Sequence, residues 1–357
     1  MRCALFFLAA ALSAQTPQAL RWMPVTSQEV EVDGLPWFAQ NRGELFRLPL
    51  TLEKVVRPAV WNLAQSPSGG RIRFRTDAAS IAIRLEYPSP PNMTNMHAFG
   101  QTGVDLYADG VYLATAIADK DAAPGKTYEK VLFSGLPRVE REIVIYLPLY
   151  KPVKVLGIGV DPEAHIQKPH AFALSRPVVF YGTSITQGGC ASRSGMSYQA
   201  ILGRMLNIDF VNLGFSGNGT GEPELAQAVA DIDAACYVLD FAQNNRTVES
   251  LEKVYAPFLA TLRAKHPDTP ILAITPIYAA REAAGELETQ KMRDHIRLVV
   301  SRAIAAGDGH LQIVEGTDLL GPSQGDGLVD GTHPNDLGFQ SMAHGLATRL
   351  RKFLGLP

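Results

Sequence analysis

The hydrophobic period changes once along this chain, and that change limits what the chain can fold into. Between residues 22 and 160, apolar and polar residues alternate in short runs such as RIRFR, SIAIRLEY, VDLYADGVY and REIVIY. Ile72, Phe74, Ile81, Ile83 and Leu85 fall on alternate positions, as strands with one buried and one wet face require. The Asp109-Gly110 pair in YADGVY is the signal for a two-residue hairpin turn. No long helical pattern interrupts the region, so the expectation is an antiparallel β-sandwich of jelly-roll-like kind. After a joining stretch at 161–176, DPEAHIQKPHAFALSR, the strands become continuously apolar: PVVFYG, DFVNLG, YVLDF, ILAITPI and LQIVEG. Amphipathic helices are expected between and after them, near 198–206, from 222, and over 248–265, 287–306 and 335–353. Five such strands call for a parallel sheet covered on both faces, a three-layer α/β domain over 177–357.

A length of 357 residues suits this division, since single cores stop growing at roughly 250 to 300 residues. The formal net charge of −2 leaves no basic footprint for nucleic acid or an anionic membrane. The opening MRCALFFLAAALSA carries Arg2, an apolar run and small residues at Ser13 and Ala14. That is the layout of a signal peptide over 1–14 and implies a secreted or periplasmic protein. The apolar run is shorter than the about 20 residues that span a bilayer, so stable membrane insertion is not expected. If Cys3 leaves with the signal, Cys190 and Cys236 remain, as two separate thiols or as one disulfide.

In a parallel sheet, ligands sit beyond the C-terminal strand ends, and GTSITQGG, GFSGNG and FAQNN all fall there. Serine is a poor nucleophile at neutral pH and needs a base beside it and a group that orients the base. Ser184 follows the first apolar strand, where Gly182 lets the chain turn and lift the hydroxyl. The N–H groups of Ser184 and Gly217 and the side-chain amide of Asn244 could hold an oxyanion. In LVDGTHPND, Asp330 and His333 stand three apart, close enough for one turn to bring carboxylate to imidazole. Each residue alone has an ordinary explanation as a turn former or a helix cap. Their order along the chain, all at strand ends on one side of one sheet, points to catalysis.

At these residues the sequence resembles the SGNH, or GDSL-like, hydrolase superfamily. The resemblance implies a flavodoxin-like domain with Ser184 as nucleophile, Gly217 and Asn244 in the oxyanion hole, and Asp330 with His333 as the remaining pair. Thr183 stands where the family usually has Asp, and Ala242 and Asn245 replace the Gly and Asp of the third block. Upstream, GQTGVDLYADG looks like the Gly-x-Asp-Leu-Tyr domain that precedes some of these hydrolases, through Gly103, Asp105, Leu106 and Tyr107. In similar esterases that domain can line the pocket. The loop PSPPNMTNMHAFGQTG could do so here, with Met93, Met96, His97 and Phe99 as candidates. His97, Met96, Thr183 and Asn245 form the expected substrate-binding set.

The expected activity is that of a serine esterase removing small acyl groups, acetyl first, from a carbohydrate or glycoside, without cofactor. Other aryl, alkyl or lipid esters, and a carbohydrate-binding protein with a degenerate hydrolase domain, are the alternatives. No amphipathic lid of the interfacial kind is evident. The eight histidines are scattered without His-x₃-His or Cys-x₂-Cys spacing, so no metal is expected, and His165 and His170 read as parts of a solvated linker.

Overall fold

The computed structural model describes residues 19–356, so the candidate signal peptide and Cys3 lie outside the described residues. Its first ten strands are β1 (Arg21–Met23), β2 (Glu31–Asp33), β3 (Arg71–Thr76), β4 (Ile81–Glu86), β5 (Val104–Ala108), β6 (Val111–Ala116), β7 (Thr127–Phe133), β8 (Arg141–Tyr146), β9 (Lys154–Val160) and β10 (Ile166–Gln167). They form two antiparallel sheets, one ordered β1-β9-β4-β7 and the other β10-β3-β8-β5-β6, with β2 against β3. Ile72, Phe74, Ile81, Ile83 and Leu85 are fully buried between the sheets, as their spacing predicts. The β5–β6 hairpin turns at Asp109 and Gly110, whose φ values of 50° and 77° are both positive, as a type I′ turn requires.

Two expectations for this half need correction. The second face of β3 is dry: Arg71 and Arg73 are 2% and 4% exposed. Arg71 pairs with Asp209 and lies over the Phe210 ring, while Arg73 meets Glu142 at 3.0 Å and stacks on Phe172. Arg71 thus faces the other half of the molecule, and Arg73 the joining stretch, instead of water. The joining stretch is likewise not a plain linker throughout, because β10 pairs with β3, although His165 and His170 are exposed as expected and His170 Nδ1 lies 2.8 Å from Glu142 Oε2. A helix that the strand pattern concealed, Pro58–Ala64, opens with Pro at its first position and buries Val60, Trp61 and Ala64 against the parallel sheet.

The last five strands are β11 (Val178–Gly182), β12 (Phe210–Gly214), β13 (Cys236–Asp240), β14 (Ile271–Ile274) and β15 (Leu311–Val314). All are parallel, in the order β12-β11-β13-β14-β15. Helices Pro223–Ala230, Tyr255–Lys265 and Glu288–Ala305 cover one face; Tyr198–Leu206 and Asp336–Leu354 cover the other. The helix expected over 248–265 is two, Val248–Glu252 and Tyr255–Lys265. Pro257 explains the break, since its ring would clash with the carbonyl four residues earlier in a continuous helix. Cys190 and Cys236 are separate, buried, free thiols.

The two halves share a buried polar seam. Asp105 is fully buried; its carboxylate accepts from Thr115 Oγ1 at 2.7 Å, the Gly195 N–H at 2.7 Å and Arg193 Nη1 at 3.1 Å. Ser194 Oγ donates to Gly103 O at 2.6 Å. The polar residue of the Gly-x-Asp-Leu-Tyr stretch thus clasps the second half. Replacing Asp105 by Ala strands those donors and should lower stability by about 3 kcal/mol. Urea denaturation at an unchanged m-value should show the midpoint fall; an unchanged midpoint would mean that the clasp contributes nothing.

Candidate active site

Strand β11 ends at Gly182 because nothing larger fits: a Cβ there would lie 2.0 Å from Thr186 Oγ1 and 2.5 Å from Asp240 O. The chain turns directly into the short helix Ser184–Gln187, capped by Thr183 Oγ1, which accepts from the Ile185 N–H at 3.2 Å. Ser184 is therefore the first helical residue, half-buried, and its N–H has no intrahelical acceptor.

The neighbouring strand ends are tied to this turn through the backbone. Gly182 O accepts from the Phe215 N–H at 2.9 Å, and Phe215 O accepts from Asn244 Nδ2 at 3.0 Å. An amide carries two N–H donors, so Asn244 keeps one to offer a ligand. Gly217 has φ of 65°, and the space where a Cβ would stand is empty within 4 Å. The loop thereby leaves its backbone approachable from the open side.

The base comes from the segment before the last helix. His333 Nε2 lies 2.8 Å from Ser184 Oγ, and His333 Nδ1 lies 2.8 Å from Asp330 Oδ2 and 3.0 Å from Oδ1. With Nδ1–H donating to the carboxylate, Nε2 is left as the acceptor for the serine hydroxyl. Asp330 Oδ1 also accepts from the N–H groups of Thr332 and His333, at 3.1 and 2.9 Å. Asn95 Nδ2, from the first half of the chain, donates to Oδ2 at 3.0 Å. Partial burial works against ionisation of Asp330, but the His333 N–H, the Asn95 amide and the imidazole outweigh it and hold the carboxyl well below the usual range. The arrangement can deprotonate a hydroxyl at Ser184 while keeping the imidazolium so formed paired.

Residues 175–351 match the family described as GDSL-like lipase/acylhydrolase, and residues 20–166 match the domain described as the N-terminus of SGNH-hydrolase-type esterases. A crystal structure from Bacteroides ovatus, described as a GDSL-like lipase, is 33% identical over 95% of this chain and 99% of that one, with a TM-score of 0.84. The chain belongs to the GDSL-like lipase/acylhydrolase family. Membership makes it a serine hydrolase of esters. The salicylyl-acyltransferase SsfX3 from a tetracycline biosynthetic pathway shares the fold at 21% identity, with a TM-score of 0.79 over 94% of this chain and 98% of that one. So does the acetyl xylan esterase Est2A from Butyrivibrio proteoclasticus, at 16% identity and a TM-score of 0.58 over 81% and 91% of the two chains. No curated protein matches the sequence.

The structure brings Ser184, His333 and Asp330 of this GDSL-like hydrolase into one relay and links the Gly217 and Asn244 loops beside it. Other expected ligand contacts are drawn inward. Thr183, Met96 and Asn245 are 1%, 4% and 5% exposed. Thr183 is occupied as a cap, Met96 packs in the core, and Asn245 Nδ2 turns to Phe241 O at 3.4 Å. His97 stays exposed, but its Nδ1 accepts from the Phe99 N–H at 3.3 Å and caps a helix.

Sequence reasoning missed Asn95 and also Tyr150, whose hydroxyl donates to Ser184 O at 3.2 Å. It missed Asp240 too, fully buried beneath the nucleophile turn and bonded by Thr186 Oγ1 at 3.3 Å. Burial pushes the Asp240 carboxyl up to about 7, against the opposing pull of the nearby Thr186, Gln243 and Tyr198 side chains. Only the apolar run around Asp240 hinted that its carboxyl would be dry.

Two measurements check these environments. A carboxyl with a raised folded value contributes stability that is present below about pH 4 and lost as pH rises toward about 7. Asp240→Asn should therefore gain stability relative to wild type across that window; melting curves offset by a constant amount would show that Asp240 is already ionised. Burial, with the charge of Asp330 added, pushes the Cys190 thiol up to about 12, and burial raises Cys236 as well. Native protein at about pH 8 should consume no Ellman's reagent, and full reaction should appear only on unfolding.

Proposed function

We propose that the protein is a secreted serine esterase that removes small acyl groups, acetyl foremost, from a carbohydrate or glycoside. The observation that carries this reading is the continuous relay from Ser184 Oγ through His333 to Asp330, with contacts of 2.8 Å on each side of the imidazole. His333 Nε2 takes the hydroxyl proton as Ser184 Oγ bonds to the ester carbonyl carbon. The resulting oxyanion is held by the N–H groups of Ser184 and Gly217 and by Asn244. Donors of this kind are worth about 2.7 to 4 kcal/mol each in other hydrolases. Collapse of the intermediate breaks the bond to the alcohol oxygen, which leaves with the proton from His333. Water then attacks the acyl-enzyme by the same route and releases the acid. No cofactor enters these steps.

An ester-linked sugar is the substrate class supported by the carbohydrate esterase that shares the fold. The signal-peptide pattern over 1–14 supports action outside the cytoplasm. Among the described residues no helix is long and apolar enough to cross a membrane.

Purified mature protein should release acetate from acetylated xylan or glucomannan and hydrolyse 4-nitrophenyl acetate faster than the butyrate and octanoate. Ser184→Ala should lose that turnover, by a factor on the order of 10⁶ by comparison with other serine hydrolases, and keep its fold. Retained turnover would sink the nucleophile assignment. A preference for octanoate would move the substrate to longer acyl chains, and folded protein inert on every ester would leave the carbohydrate-binding alternative.

A further inference from the structure

The first half of the chain does more at this site than stand beside it. Residues 92–96 are held by one buried side chain: Gln101 Oε1 accepts from the N–H groups of Asn92 and Met93 at 2.9 and 3.0 Å, and Gln101 Nε2 donates to the carbonyls of Met93 and Met96 at 3.1 and 2.6 Å. Gln101 is 2% exposed, and Met96 anchors the loop in the core that contains Cys190 and Ala191. The loop is therefore built, and at its outer edge it presents Asn95, whose Nδ2 stands 3.0 Å from Asp330 Oδ2 across a separation of 235 residues. That oxygen is the one closest to His333 Nδ1.

We infer that Asn95 is a positioning residue: it fixes and stabilises the Asp330 carboxylate so that the imidazole faces Ser184 in one orientation. The first half thus completes the catalytic relay. The inference rests on the relay proposed above. It follows from the charge on Asp330, because a donor to an anion stabilises it more than a donor to a neutral group does. The need is greatest when His333 carries the proton, since the imidazolium is then paired with a carboxylate that must neither swing away nor take the proton.

The test uses Asn95→Ala and Asn95→Asp in the full chain, with Ser184→Ala alongside. Steady-state rates on 4-nitrophenyl acetate are measured between about pH 5 and 9, with a melting curve for each variant. Asn95→Ala should lower kcat about tenfold and leave KM within about twofold, the pattern of an interaction that matters in the transition state. Asn95→Asp is nearly isosteric, and Gln101 keeps the loop in place. It should fall further and move the acid limb of kcat/KM to higher pH, because a second carboxylate beside the relay favours the protonated imidazole. Both melting temperatures should stay within a few degrees of wild type.

Wild-type kcat in Asn95→Asp would overturn the inference. So would a raised KM at unchanged kcat, which would make Asn95 a substrate contact only, and so would losses that track a collapse in melting temperature. Turnover retained by Ser184→Ala would overturn the relay itself, whatever Asn95 does. An inactive Ser184→Ala beside a normal Asn95→Asp would remove only the inference about Asn95.

Discussion

The polar seam between the antiparallel sheets and the parallel sheet is the constraint on which the rest depends. Dry polar groups cost free energy unless each finds its partner, and this seam is lined with them. Asp105 takes three donors, two of them from the second half. The Arg47 guanidinium, 1% exposed, donates to Ser66 O at 2.7 Å, Leu63 O at 2.8 Å, Asn212 O at 3.2 Å and Gly214 O at 2.5 Å. Gln187, on the nucleophile helix, donates to Leu149 O at 3.0 Å and accepts from the Ser216 N–H at 2.9 Å. Each bond admits one placement of its partners. The halves are therefore in fixed register, and loops from both can meet at one carboxylate.

The parallel sheet supplies the location. Its order, with β11 between β12 and β13, makes the chain leave β11 and β13 on opposite sides and opens a crevice at their C-terminal ends. Ser184 and Asn244 flank that crevice. Backbones approach unusually closely there: a Cβ on Gly214 would fall 2.2 Å from Gln187 N, and one on Gly219 would fall 1.9 Å from Gly182 O. Those glycines serve close packing of the strand ends, while Gly217 beside them has open space where its side chain would be.

Much of this was legible in the order of residues. The period of two marked the sandwich, the continuous apolar runs marked the parallel strands, and Asp109-Gly110 marked a hairpin, because each is set by neighbours in sequence. The helix Tyr198–Leu206 lies within the bounds its pattern predicts, since Ser197 caps it and Asn207 ends it in the left-handed conformation. Pro58–Ala64 escaped notice because seven residues make only two turns, too few for a period to show among strands. Arg71 and Arg73 read as solvent-facing because alternation reports which residues share a face and is silent about what covers it.

Residue order alone sets the local chemistry: which stretches become strands or helices, where the chain can turn, and that a serine, a glycine and an amide follow three strands in turn. Such features depend on contacts a few residues apart. The Asp-x-x-His pair, expected at a strand end as well, instead sits beyond two short helices past β15, just before the last helix. Tertiary structure alone decided which charges are dry, that Thr183, Met96 and Asn245 face inward, and that Asn95 reaches Asp330. Those outcomes rest on the packing of one sheet system against another, and no spacing in the chain records a distance between residues 235 positions apart.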